Sequence, residues 1–170
     1  TYVAAQKLPA ANVSQIEASL ATSRAGALQS LEDQDLSEDD LALAKDLLNQ
    51  LLDVLQTTIQ GGKIDLGGTV KLAPDALTIV AGGHVLETAK IDAILKRLVE
   101  KASADEPKLA EMITLDAEEY QGIHFHRALI PLADLEMEDE EEAEVLEKLV
   151  GKELEIYIGI GPESVYGAVG

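Results

Sequence analysis

The sequence predicts an α+β fold: an N-terminal helical hairpin, then repeated β-hairpin and helix units forming one antiparallel sheet with helices on one face. Three observations predict it. The apolar period changes from helical to alternating after residue 62. Residues 68–82, GTVKLAPDALTIVAG, align without a gap on residues 156–170, IYIGIGPESVYGAVG, at an offset of 88. Leu72 meets Ile160, Pro74 meets Pro162, Asp75 meets Glu163, and Gly82 meets Gly170. Finally, glycines and Pro-acid pairs fall where such elements would have to turn.

The elements follow in order. Val13, Ile16, Leu20, Leu28 and Leu31 recur loosely at helical spacing, and the polar stretch 32–36 breaks the run. Ser37 is an N-cap with acids in the turn after it, and it opens a helix carrying Leu41, Ala44, Leu48, Leu51, Leu52, Leu55 and Ile59. Gly61-Gly62 stops that helix. Ile64, Leu66, Val70 and Leu72 alternate with polar residues, the pattern of a strand with one buried face. Pro74-Asp75 turns the chain into a second strand over 77–83, and a helix follows from Glu87 or Thr88 to about Ser103. Pro107 lies in a loop, 112–115 forms a short strand and 123–132 a longer one, with Gln121-Gly122 turning between them. The acidic run 136–144 leads into a helix through Val150, and 154–160 and 164–169 make the last hairpin. Two domains are expected: 1–62, a helical hairpin packing on the rest, and 63–170, a repeat domain truncated at its C-terminus. The repeats are expected to share one sheet of about six strands, with a pseudo-two-fold between them.

Composition narrows the function. The formal charge of −19 argues against nucleic acid and against anionic membrane surfaces. The absence of cysteine excludes disulfides, thiolate metal sites and cysteine nucleophiles. No apolar run reaches the roughly 20 residues of a membrane span. Aromatics are 3% of the chain, so Leu, Ile, Val and Ala must build the core, and the ring platforms that bind sugars are scarce.

Motifs for chemistry are sparse. No serine lies in GxSxG, and Gly159-x-Gly161 runs into Pro162-Glu163 rather than into a phosphate-binding helix. The acidic run 136–144 lacks the alternating oxygens and glycine of a calcium loop. His124 and His126 share a strand face, and with His84 and nearby carboxylates they are the candidates for a metal site. On the polar sheet face Thr69, Lys71, Tyr157 and Tyr166 form a possible binding surface. No catalytic constellation or cofactor is expected.

LAPDALTIVAGGHV, YQGIHFHRALIP and LEIYIGIGPESVYGAVG resemble stretches of large exported bacterial proteins of unknown function, over roughly residues 63–170. The resemblance implies export to the periplasm or cell surface and carries over no site residue. The leading expectation is a non-enzymatic binding or assembly domain whose partner is the rest of its parent protein or another protein. An apolar-ligand (lipid) carrier, with a pocket lined by Leu52, Leu55, Ile156 and Ile158, is one alternative. A metal-dependent site at His124 and His126 is the other.

Overall fold

A computed structural model describes residues 1–73, 76–135 and 140–170, with side chains except at 140–144. The elements are β1 (Tyr2–Lys7), α1 (Ala10–Glu32), α2 (Glu38–Gln60), β2 (Lys63–Ala73), β3 (Ala76–His84), α3 (Thr88–Asp105), α4 (Pro107–Met112), β4 (Ile113–Tyr120), β5 (Ile123–Pro131), α5 (Glu140–Val150), β6 (Glu153–Ile160) and β7 (Ser164–Val169). The strands form one seven-stranded antiparallel sheet in the order β1-β2-β3-β7-β6-β5-β4. The Pro74-Asp75 turn and residues 136–139 of the acidic run lie outside the described residues.

Local chemistry accounts for most boundaries. The Ser37 hydroxyl accepts the Asp40 N–H at 3.1 Å and starts α2 behind three acids that favour the positive end of its dipole. Gly62 and Gly122 follow α2 and β4 in the left-handed conformation that a bare Cα adopts freely. Three findings differ from the expectation. Residues 2–7 form a strand within the 1–62 stretch expected as a helical hairpin; YVAAQK alternates too weakly to announce one, and pairing with β2 supplies its order. Pro107 opens a short helix instead of a loop, since a proline at the first helical position has no N–H to waste. The strand after it extends to Tyr120.

The pairings reproduce the sequence repeat. Moved by 88 residues, Leu72↔Leu77 becomes Ile160↔Val165, Val70↔Ile79 becomes Ile158↔Gly167, and Gly68↔Ala81 becomes Ile156↔Val169. Where the two hairpins meet, Val80 pairs with Ala168, its own counterpart at that offset. The second hairpin therefore relates to the first by a pseudo-two-fold axis through that pair. Such an axis stands normal to the sheet and keeps each residue's face.

Directly paired residues share a face. One row runs Tyr2, Gly68, Ala81, Gly167, Ile158, His126; an Asp92–His126 hydrogen bond puts α3 on this side. The adjacent row runs Val3, Gly67, Gly82, Tyr166, Gly159, Phe125 on the opposite side. Among the described residues the buried apolar ones are Leu47, Leu52 and Val54 of α2, Ile94 of α3, Leu132 and Ile160. They gather around α2, α3 and the β6 end of the sheet. The alternation in β2 predicts a buried face, yet Leu66, Val70 and Leu72 are 52%, 63% and 70% exposed. The alternation identified an apolar face, and these three side chains of it stand open to solvent.

Candidate functional site

Helix α3 leaves β3 through Glu87, held in the left-handed region at φ 56°, and its first residue, Thr88, is buried. The Thr88 hydroxyl donates to the Pro162 carbonyl at 3.0 Å, and the Val85 N–H donates to the Glu163 carbonyl at 3.1 Å. These bonds fasten the start of α3 to the β6–β7 turn. One helical turn on, Asp92 and Lys96 stand four residues apart, so both side chains point the same way.

The strand side is equally fixed. The β4–β5 ladder breaks its register between Thr114 and Glu118, and within that bulge Asp116 takes a left-handed φ of 50°. The Asp116 N–H donates to Nδ1 of His126 at 3.0 Å. With Nδ1 accepting, the ring proton sits on Nε2 and is donated to Oδ1 of Asp92 at 3.0 Å. Lys96 Nζ joins the two carboxylates, 3.0 Å from Asp92 Oδ2 and 2.9 Å from Asp116 Oδ2. Its hydrogen bond holds the Asp116 carboxyl below the usual carboxylate range, aided by the nearby His126 and His124 rings. In return Asp116 and then Asp92 hold the Lys96 ammonium above the ordinary lysine value. An open cleft of about 550 Å³ borders the network, lined by Thr88, Asp92, Lys96, Asp116, His124 and Pro162 among others.

The structure thus separates the three histidines. His126 is buried (3% exposed) with both ring nitrogens engaged; His124 shares its face but is exposed in the cleft. His84 lies on the opposite face, its Nδ1 3.0 Å from the Glu163 carbonyl. Asp92, Asp116 and His126 offer donor atoms within 4.8 Å of one another, a spacing that suits a cation. Lys96 already supplies positive charge between those carboxylates, so a metal would have to displace it and break a histidine hydrogen bond. Asp92 and Lys96 were not singled out from sequence; their i, i+4 spacing in a helix that follows a hairpin was the available signal.

Thr69, Lys71, Tyr157 and Tyr166 share the face opposite α3. Thr69 meets the Thr1 hydroxyl at 3.1 Å, and the Tyr157 hydroxyl donates to Glu155 at 3.0 Å. Burial, then Glu155, push the Tyr157 phenol up. The Tyr166 ring lies on Gly82 and the Phe125 ring on Gly159, with Phe125 Cε1 2.6 Å from where a Gly159 Cβ would be. Between them lies a shallow apolar cleft of about 240 Å³ formed with Val80, Ile123, Tyr157 and Ala168. His84 and Tyr166 instead line a neighbouring cleft of about 560 Å³ with Thr69. Lys71 lines neither of these, nor the cleft at His124. None of the three is lined by Leu52, Leu55, Ile156 or Ile158; Leu52 is buried while Leu55 is exposed.

Among the described residues, Tyr2, Leu66, Val70, Leu72 and Ile79 are exposed apolar or aromatic side chains on the α3 side of β1–β3. No helix among the described residues is long and apolar enough to cross a membrane. No family model, no curated protein and no solved structure matches this chain.

Proposed function

We propose that this chain is a non-enzymatic binding or assembly domain of an exported bacterial protein, and that it acts through the exposed apolar side chains of β1–β3. One observation carries the reading: five large apolar or aromatic side chains of three adjacent strands stand together on one face and are exposed. Scattered exposed leucines are ordinary, but a contiguous patch on a sheet face favours a protein contact. The His126 network supports a structural role beside it, because its bonds tie α3 to β4 and β5 and leave no free ring nitrogen for proton transfer. Export rests on the resemblance of residues 63–170.

A photo-crosslinking residue at position 72, in the cell that makes the protein, tests this. A discrete adduct is expected at 72 and not at position 71, which faces the other side of β2. Equal labelling at both positions, or none at either, overturns the reading. The apolar-ligand alternative needs a pocket between sheet and helices at Leu52, Leu55, Ile156 and Ile158, and none of the three clefts is lined by these residues. Native mass spectrometry of the purified chain checks it: a bound lipid mass supports the carrier, and a bare mass removes it.

A further inference from the structure

We infer that the exposed apolar side chains of β1–β2 seat an amphipathic α-helix in the way that α3 sits on β6; this step rests on the assembly reading above. The pseudo-two-fold axis through Val80 and Ala168 carries β6 onto β2 without changing faces. Helix α3 packs on β6, where Ile158 is half-buried and Ile160 is only 6% exposed. The residues 88 positions earlier are Val70 and Leu72, equally apolar and largely exposed. Equivalent backbone, equivalent side-chain chemistry and opposite burial together mark a vacant helix seat.

The surface has the relief for it. Leu66, Val70 and Leu72 form a ridge along β2, with Ile79 beside them on β3. Gly68, Ala81 and Gly167 form a low row between Leu66 and Val70, and a Cβ on Gly167 would meet no atom within 4 Å. A ridge beside a trough suits the rows of side chains on a helix. The occupant's chemistry follows from α3, whose Ile91, Ile94, Leu95 and Val99 make an apolar stripe flanked by charges of both signs, Lys90, Lys96, Arg97 and Lys101 against Asp92, Glu100 and Asp105. The partner is therefore an amphipathic helix like α3, with Ile or Leu at i, i+3 and i+4 and mixed charges along its flanks.

The probe is a stapled helical peptide of residues 87–106 added to the isotope-labelled full chain. Saturable amide shifts are expected at Leu66, Val70, Leu72 and Ile79. Val70→Glu should weaken binding about tenfold or more, because it buries a charge in the contact. Lys71→Glu, on the other face, should not weaken it. Leu72→Gln, at the most exposed of these positions, gives a second readout should Val70→Glu unfold the chain. Shifts confined to β5, β6 and α3 would mean that the peptide displaces its own parent helix, and would overturn the inference, as would no shifts. If the peptide does not bind but the chain self-associates and Val70→Glu makes it monomeric, the helix seat fails and the assembly reading stands. If there is neither peptide binding, self-association nor crosslinking at position 72, both fail.

Discussion

At His126 the cost of burying an imidazole is offset by two hydrogen bonds of defined direction. The ring accepts from the Asp116 N–H and donates to Asp92. Replacing His126 by leucine removes both and strands a backbone donor at the bulge. A loss of about 2–3 kcal/mol is expected in urea denaturation, since an unsatisfied buried group alone costs roughly 1–3 kcal/mol. A chelator should leave the melting temperature unchanged, because Lys96 already neutralises the site; a drop on adding chelator would instead identify a bound metal. The pH dependence has a definite sign. Asp116 is depressed chiefly by its Lys96 hydrogen bond, so its contribution is present above about pH 4 and lost as pH falls through the lower folded value. Lys96 is raised, so its contribution holds below the ordinary lysine value and is lost as pH rises through the higher folded one. Melting temperatures of the wild type and Lys96→Met should therefore differ most in the neutral range and converge in acid. Asp116 also faces His124 and His126, so the comparison is made against Lys96→Met rather than read from the wild type alone.

At the scale of elements, the glycines of the sheet make room for rings. A Cβ on Gly82 would collide with the Tyr166 ring and stand 2.9 Å from the Val165 carbonyl, which is backbone and cannot swing aside. Gly82→Ala should cost about 1–3 kcal/mol, the usual penalty for overpacking, whereas Gly26→Ala in α1 meets no atom within 4 Å and should be neutral or stabilising. Thermal melts of the two variants decide it. The same elements show what could be read from the chain. Alternation in 63–73 and 153–160, the Ser37 cap and the glycine stops are local facts, and they yielded the strands, α2 and the hairpin repeat. The β1 strand could not be seen, because two alanines and a glutamine give YVAAQK no clear face. Helix α4 was hidden by a proline that reads equally as a loop residue. The His126 partners were hidden for another reason: Asp92 and Asp116 come from a helix and a strand that meet only in three dimensions, and many other acids compete for attention in this sequence.

At the scale of the molecule, burial is lopsided. Few side chains are fully enclosed, and Val54 is the single large one with no measurable exposure among the described residues. The enclosed ones cluster where α2 and α3 meet the sheet, while the pseudo-equivalent half around β2 presents its apolar side to water. Sequence alternation can say that β2 has an apolar face; it cannot say what lies on it, which is why the strand looked buried and is not. The imbalance has a measurable consequence. Each large apolar side chain left in water forgoes roughly 1.5–3 kcal/mol that burial would contribute. The purified chain is thus expected to bind a dye that fluoresces on apolar surfaces, or to associate with itself. The Val70→Glu/Leu72→Gln pair should abolish that signal without lowering the melting temperature, because substitutions at exposed positions usually move stability by no more than about 0.5 kcal/mol. Dye fluorescence and sedimentation of both proteins provide the check. A variant that melts much earlier would show that the face is already covered in solution, whereas an unchanged signal would place the sticky surface elsewhere on the chain.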